Sequence, residues 1–175
     1  MNYFKLFNLP EIFDINIAEL NKNFYTLQKK FHPDLYIKND TFTKDKKKKK
    51  IYIINEGYRN LKDPLKRINH IFMLNKLNFK DKKRYPVTFS VLEQQLKLNF
   101  ELETLTSKVI NKDKIISFIQ RNNSLIQNLF KKISFNIMKK EWTLAVNLYQ
   151  ELKFLVRLTN NAEEIQKNKD FKKFY

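Results

Sequence analysis

One glycine and four prolines among 175 residues leave this chain almost without the residues that tight turns between strands demand. Hairpin loops depend on left-handed backbone, which glycine supplies at no steric cost. Leu, Ile, Phe, Lys, Asn and Glu instead fill long stretches with apolar positions three and four apart, the period of a helix that hides one face. The chain is therefore expected to be all-α. With 42% hydrophobic and 14% aromatic residues, it can bury a core over most of its length and is not a disordered segment.

The pattern divides into elements. A short apolar opening, Tyr3 to Leu9, is stopped by Pro10. Asn16 followed by Glu19 has the spacing of a capping box, and Ile17, Leu20, Phe24, Leu27 and Phe31 then mark a core-facing stripe. Lys22 and Lys29 fall on the opposite face of that helix, with Lys30 further round, so its outer surface is basic. Pro33 ends it. A third helix is expected from about Phe42, through the lysines at 46–50, to Leu61. Asp63-Pro64 breaks it, and a fourth runs from Leu65 to Asn75. Residues 76–86, rich in Lys and Asn and closed by Pro86, read as a linker between a first domain, 1–75, and a second, 87–175. The second contains three long periodic stretches, near 88–109, 112–138 and 141–170, with breaks short enough for an antiparallel three-helix bundle.

Composition excludes several functions. With no cysteine, the chain offers no disulfide, zinc-thiolate site or thiolate-bound iron–sulfur cluster. Two distant histidines without a carboxylate cluster at ligand spacing predict no metal site and no cofactor. No run of about 18 apolar residues occurs, and no charged segment with an apolar core opens the sequence, so a cytoplasmic protein without membrane attachment is expected. The net charge of +17 suits nucleic acid, but the lysines are scattered and greatly outnumber arginine. Solvated faces in a Lys-, Asn-, Ile- and Phe-rich composition explain them better, and a basic nucleic-acid-binding protein stays as the rival reading. His70 is expected at a surface or boundary, Gly57 at a close helix contact and Trp142 in the core. No catalytic residue is assigned.

His32-Pro33-Asp34, set between an amphipathic helix with a basic outer face and a polar loop, resembles the signature of the J domain. The opening Asn2-Tyr3-Phe4-Lys5-Leu6-Phe7-Asn8-Leu9-Pro10, the run Asn55 to Leu61 with Asp63-Pro64-Leu65-Lys66-Arg67, and Glu93-Gln94-Gln95-Leu96 are similar to the HscB family, co-chaperones of iron–sulfur cluster assembly. The resemblance implies an N-terminal J domain, a C-terminal three-helix bundle and no enzymatic activity. It implies that Lys22, Lys29, Lys30, His32, Pro33 and Asp34 dock on a DnaK-type (HscA-like) chaperone and stimulate its ATPase. Physically, lysines speed encounter with an acidic surface and the Asp34 carboxylate suits a partner arginine.

On the first helix of the second domain, Val91, Leu98, Leu102, Leu105 and Val109 share one arc, while Leu92, Leu96 and Phe100 share another about 140° away. Either bundle or interdomain packing buries both arcs, or the second is an exposed partner site. The resemblance implies the latter, with Leu92, Leu96 and, from the last helix, Phe154 holding an IscU-like scaffold, and Phe100, on the same arc as Leu92 and Leu96, is expected to join them. Lys97 and Phe100 depart from the acidic residues usual there, which leaves room for a J-domain protein with another client.

Overall fold

The computed structural model describes residues 1–32, 41–78, 85–107 and 112–171, and among them every regular element is an α-helix. The chain divides into two compact units, Met1–Asn78 and Phe79–Tyr175. The first holds α1 (Tyr3–Leu6), α2 (Ile17–Lys30), α3 (Thr41–Lys62) and α4 (Pro64–Leu74); the second holds α5 (Phe89–Ser107), α6 (Lys112–Met138) and α7 (Trp142–Phe171). Of the segment read as a linker, 79–84 lies outside the described residues. Tyr85 is 1% exposed, and its carbonyl accepts from the Gln150 side chain of α7.

Side chains cap the helices, at Asn16 as the sequence suggests and at Asp63 where it suggests only a break. Asn16 accepts from the Glu19 amide at 3.1 Å, and Asp63 caps α4 by accepting from the Lys66 amide at 3.1 Å, with Pro64 at the first helical position where its missing N–H is no loss. Helix ends are closed without glycine. Asn8, Lys76 and Lys140 all adopt positive φ, between 51° and 58°. After each, an amide reaches back to close the last turn: Leu9 to the Phe4 carbonyl, Leu77 to Phe72 and Glu141 to Asn136, all at 2.9 Å. These are Schellman caps in which asparagine or lysine takes the left-handed position that glycine usually fills.

In the first unit α1, α2 and α4 all pack on α3 around Phe4, Phe7, Leu20, Ile54, Leu61 and Phe72. Gly57 sits where α1 crosses α3: a Cβ there would lie 2.9 Å from Tyr3 Cδ1 and 3.1 Å from Phe7 Cε2. Gly57→Ala should gain about 1 kcal/mol of helix propensity yet lose about 1–3 kcal/mol by forcing the α1 rings outward. The expected outcome is a lower unfolding midpoint with faster hydrogen exchange in α1; a variant as stable as the wild type would contradict this packing.

His70 corrects the expectation of a surface or boundary residue. It is 5% exposed, its Nε2 accepts from the Tyr3 backbone N–H at 3.1 Å, and its ring stacks on Tyr3 at 4.5 Å. A protonated Nε2 could not accept that bond. Burial, helped by the N-terminal ammonium and opposed by Glu11, lowers its pKa below the ordinary 6.5. The unfolded chain therefore binds this proton more readily, so stability from this group is complete above the unfolded value and falls as pH drops through 6.5 toward the folded value. An NMR titration should find His70 half-protonated below 6.5, and a midpoint at or above it would contradict the neutral-acceptor geometry.

In the second unit α6 and α7 form the principal pair and α5 packs on both, with Leu102, Phe118, Ile133, Val146, Leu152 and Leu158 in the core. Ala145, Tyr149 and Leu152 of α7 are buried, whereas Trp142, expected in the core, is only half-buried.

Candidate functional site

The first candidate surface lies along α2. Leu20 is its one fully buried side chain; Phe24, Leu27 and Phe31 are half-buried, and Ile17, expected in the core, is 38% exposed. Lys22, Lys29, Lys30 and His32 are all exposed. Lys29 and Lys30 occupy the last turn of the helix, where the partial negative charge of unpaired carbonyls favours cations. Lys30 and Lys50, the latter from α3, lie 6.0 and 5.5 Å from the centroid of the Phe31 ring, so the aromatic C-cap draws ammonium groups from two helices to one place. Pro33 and Asp34 lie outside the described residues.

The second surface is on α5. Leu92, Leu96 and Phe100 are 46%, 70% and 71% exposed, while Leu102 on the other arc is buried and Val91, Leu98 and Leu105 are half-buried; Val109 lies outside the described residues. Phe89, 82% exposed, extends the outer stripe by one turn. The sequence reading missed it, although it stands three residues before Leu92 and seven before Leu96. Lys97 is held on the flank by an ion pair with Glu93 at 2.7 Å, and Glu101 pairs with Arg121 of α6 at 2.6 Å.

Phe154 does not join this stripe. It is 9% exposed and borders a small crevice with Val91, Gln94, Gln95 and Leu98 of α5 and Glu151 and Leu155 of α7. The α5 helix packs over this side of α7, so Phe154 supports α5 from beneath. Glu151 is half-buried in the same seam; burial raises its pKa and Lys132 opposes the rise.

Among the described residues no group of three or more His, Cys, Asp or Glu side chains could hold a metal ion, and no helix is long and apolar enough to cross a membrane. What the two units present are surfaces: one cationic, one apolar.

Comparison with known proteins identifies the family. Residues 89–163 match the family model described as the HSCB C-terminal oligomerisation domain, which includes the whole exposed stripe. The co-chaperone protein HscB of Buchnera aphidicola is 34% identical over 163 residues, spanning 90% of this chain and 91% of that protein. The solved structure of chaperone HscB from Vibrio cholerae superposes with a TM-score of 0.83 at 27% identity, covering 96% of this chain and 99% of that one. Human co-chaperone HscB, at 19% identity, shares the fold with a TM-score of 0.81 over 97% of this chain and 82% of its own. The architecture is thus a J domain followed by a C-terminal helical bundle, and the chain belongs to the HscB family of co-chaperones.

Proposed function

We propose that this protein stimulates the ATPase of a DnaK-type, HscA-like chaperone through Lys22, Lys29, Lys30 and the His32-Pro33-Asp34 motif, and delivers to it an IscU-like iron–sulfur scaffold held on α5. The observation that carries this reading is the occurrence in one chain of a cationic helix face ending at exposed His32 and an uncovered apolar stripe on a separate unit. Exposed lysines raise the rate of encounter with an acidic partner and are screened by salt. A contiguous apolar stripe in water is costly unless a partner covers it. The division of labour is that of an adaptor acting in the cytoplasm, with no chemistry of its own: the scaffold is brought to the chaperone while the J domain promotes hydrolysis and trapping.

On the scaffold side the reading rests on Leu92, Leu96 and Phe100, extended by Phe89, with Phe154 as their support. With Lys97 engaged by Glu93 and Phe100 in the stripe, apolar contact dominates, so scaffold affinity should change little with salt.

Single-turnover ATP hydrolysis by the cognate DnaK-type chaperone tests the other half. The wild type is expected to accelerate hydrolysis, and His32→Gln, at an exposed position where stability effects fall within about 0.5 kcal/mol, to give the basal rate. Full stimulation by His32→Gln would refute the docking role. A protein that leaves hydrolysis unchanged, yet binds polyanions with affinity falling steeply in salt, would be the nucleic-acid binder instead.

A further inference from the structure

The cationic face of α2 must be aimed outward by contacts on its other side, and those contacts are unusual. Residues 21, 24, 28 and 31 run along one stripe of α2, roughly 130° round the helix from Lys22 and Lys29 at 100° per residue. Three of them meet α3 by directional contacts. The Tyr58 hydroxyl donates to Asn21 Oδ1 at 2.9 Å, the Tyr58 ring stacks on Phe24 at 4.0 Å between centroids and 18° between planes, and Gln28 Nε2 donates to Asn55 Oδ1 at 2.5 Å. One turn further on, Lys50 approaches the Phe31 ring.

Apolar packing alone would hold this helix loosely, because Leu20 is the only side chain of α2 that is fully buried and the half-buried Phe24 and Leu27 tolerate small rotations. Hydrogen bonds do not: their strength falls steeply once donor and acceptor are misaligned. A slip of one residue would turn the helix by about 100°, separate both pairs and swing the lysines off their face. Partly buried polar pairs of this kind add little net stability, but they can select one register over its neighbours.

We propose that the Asn21–Tyr58 and Gln28–Asn55 pairs are a positioning clasp that sets the rotation and register of α2 against α3, and thereby aims Lys22, Lys29, Lys30 and His32 at the chaperone. The inference rests on the docking role proposed above and adds to it four residues paired across the α2–α3 contact.

The test separates positioning from stability by replacing both members of one pair with apolar residues of similar shape, which leaves no orphaned donor and is nearly neutral for folding. Gln28→Leu with Asn55→Leu should unfold at a midpoint equal to or above that of the wild type. Its maximal stimulation of single-turnover hydrolysis should nonetheless fall roughly fivefold, the equivalent of one directional hydrogen bond. Residual dipolar couplings of the α2 amides should show the helix reoriented, and the exchanged pair Gln28→Asn with Asn55→Gln should restore both readouts. Should the double leucine variant lose cooperative unfolding, Tyr58→Phe with Asn21→Leu carries the same comparison, since it keeps the stack and removes both members of the other pair.

Wild-type stimulation by a folded, unreoriented clasp variant would overturn the proposal while leaving the docking role intact. Failure of the wild type itself to stimulate would overturn the docking role; the dipolar couplings would still decide whether the pairs orient α2.

Discussion

Leu96→Asp combined with Phe100→Asp is expected to weaken binding of an IscU-like scaffold by roughly 100-fold or more, since apolar anchors at the centre of an interface commonly contribute 2 kcal/mol or more each. The two side chains are 70% and 71% exposed in the free protein, so the substitutions should leave its unfolding midpoint nearly unchanged. That combination separates a docking site from a core, and isothermal titration at two salt concentrations measures it. Phe154→Ala, by contrast, should lower stability, because its side chain is buried in the α5–α7 seam. Scaffold affinity unmoved by the double aspartate variant would remove α5 from the interface.

Arg67→Met is expected to cost the N-terminal unit about 3–5 kcal/mol, enough to unfold a marginal domain. Arg67 is 6% exposed, and its guanidinium donates to the carbonyls of Leu61 at 2.6 Å, Phe13 at 2.9 Å and Lys62 at 3.3 Å. It also faces the Phe13 ring at 5.3 Å. One side chain thus closes the C-terminal end of α3 and ties the 10–16 segment to it. Burial lowers the guanidinium pKa, while Asp14 and Asp63 oppose the shift. Methionine fills similar space but leaves three carbonyls without a donor, each an orphan costing about 1–3 kcal/mol where buried. Arg67→Lys should recover little, since one ammonium cannot span three acceptors as a planar fork does. Urea unfolding gives the values, and a loss below about 1 kcal/mol would show that water replaces the guanidinium without penalty.

These two cases mark what could be read from the sequence. The α5 stripe was legible because surplus apolar residues at helical spacing cannot all face one core, and Leu92, Leu96 and Phe100 duly stand out in solvent. The cap at Asn16 was legible because capping is local chemistry, whereas Asp63 was read only as part of a break and proves to cap α4. Phe154 was misjudged because the period of α7 alone does not say which of its sides α5 covers. His70 was misjudged because its burial depends on α1 folding back across 67 residues to present the Tyr3 amide. The reach of Arg67 to Phe13 spans 54 residues, and the Asn21–Tyr58 pairing spans 37. Spacing along one helix reveals a face; it does not reveal what another helix brings to it.

The central claim is that two surfaces on separate units bring chaperone and scaffold together, and single-turnover ATP hydrolysis with all three proteins present tests it most directly. At limiting scaffold concentration the wild type should raise the rate above the sum of its own stimulation and that of the scaffold. His32→Gln and Leu96→Asp with Phe100→Asp should each remove this excess, the first by breaking the chaperone contact and the second by breaking the scaffold contact. An excess that survives either substitution would contradict the adaptor mechanism.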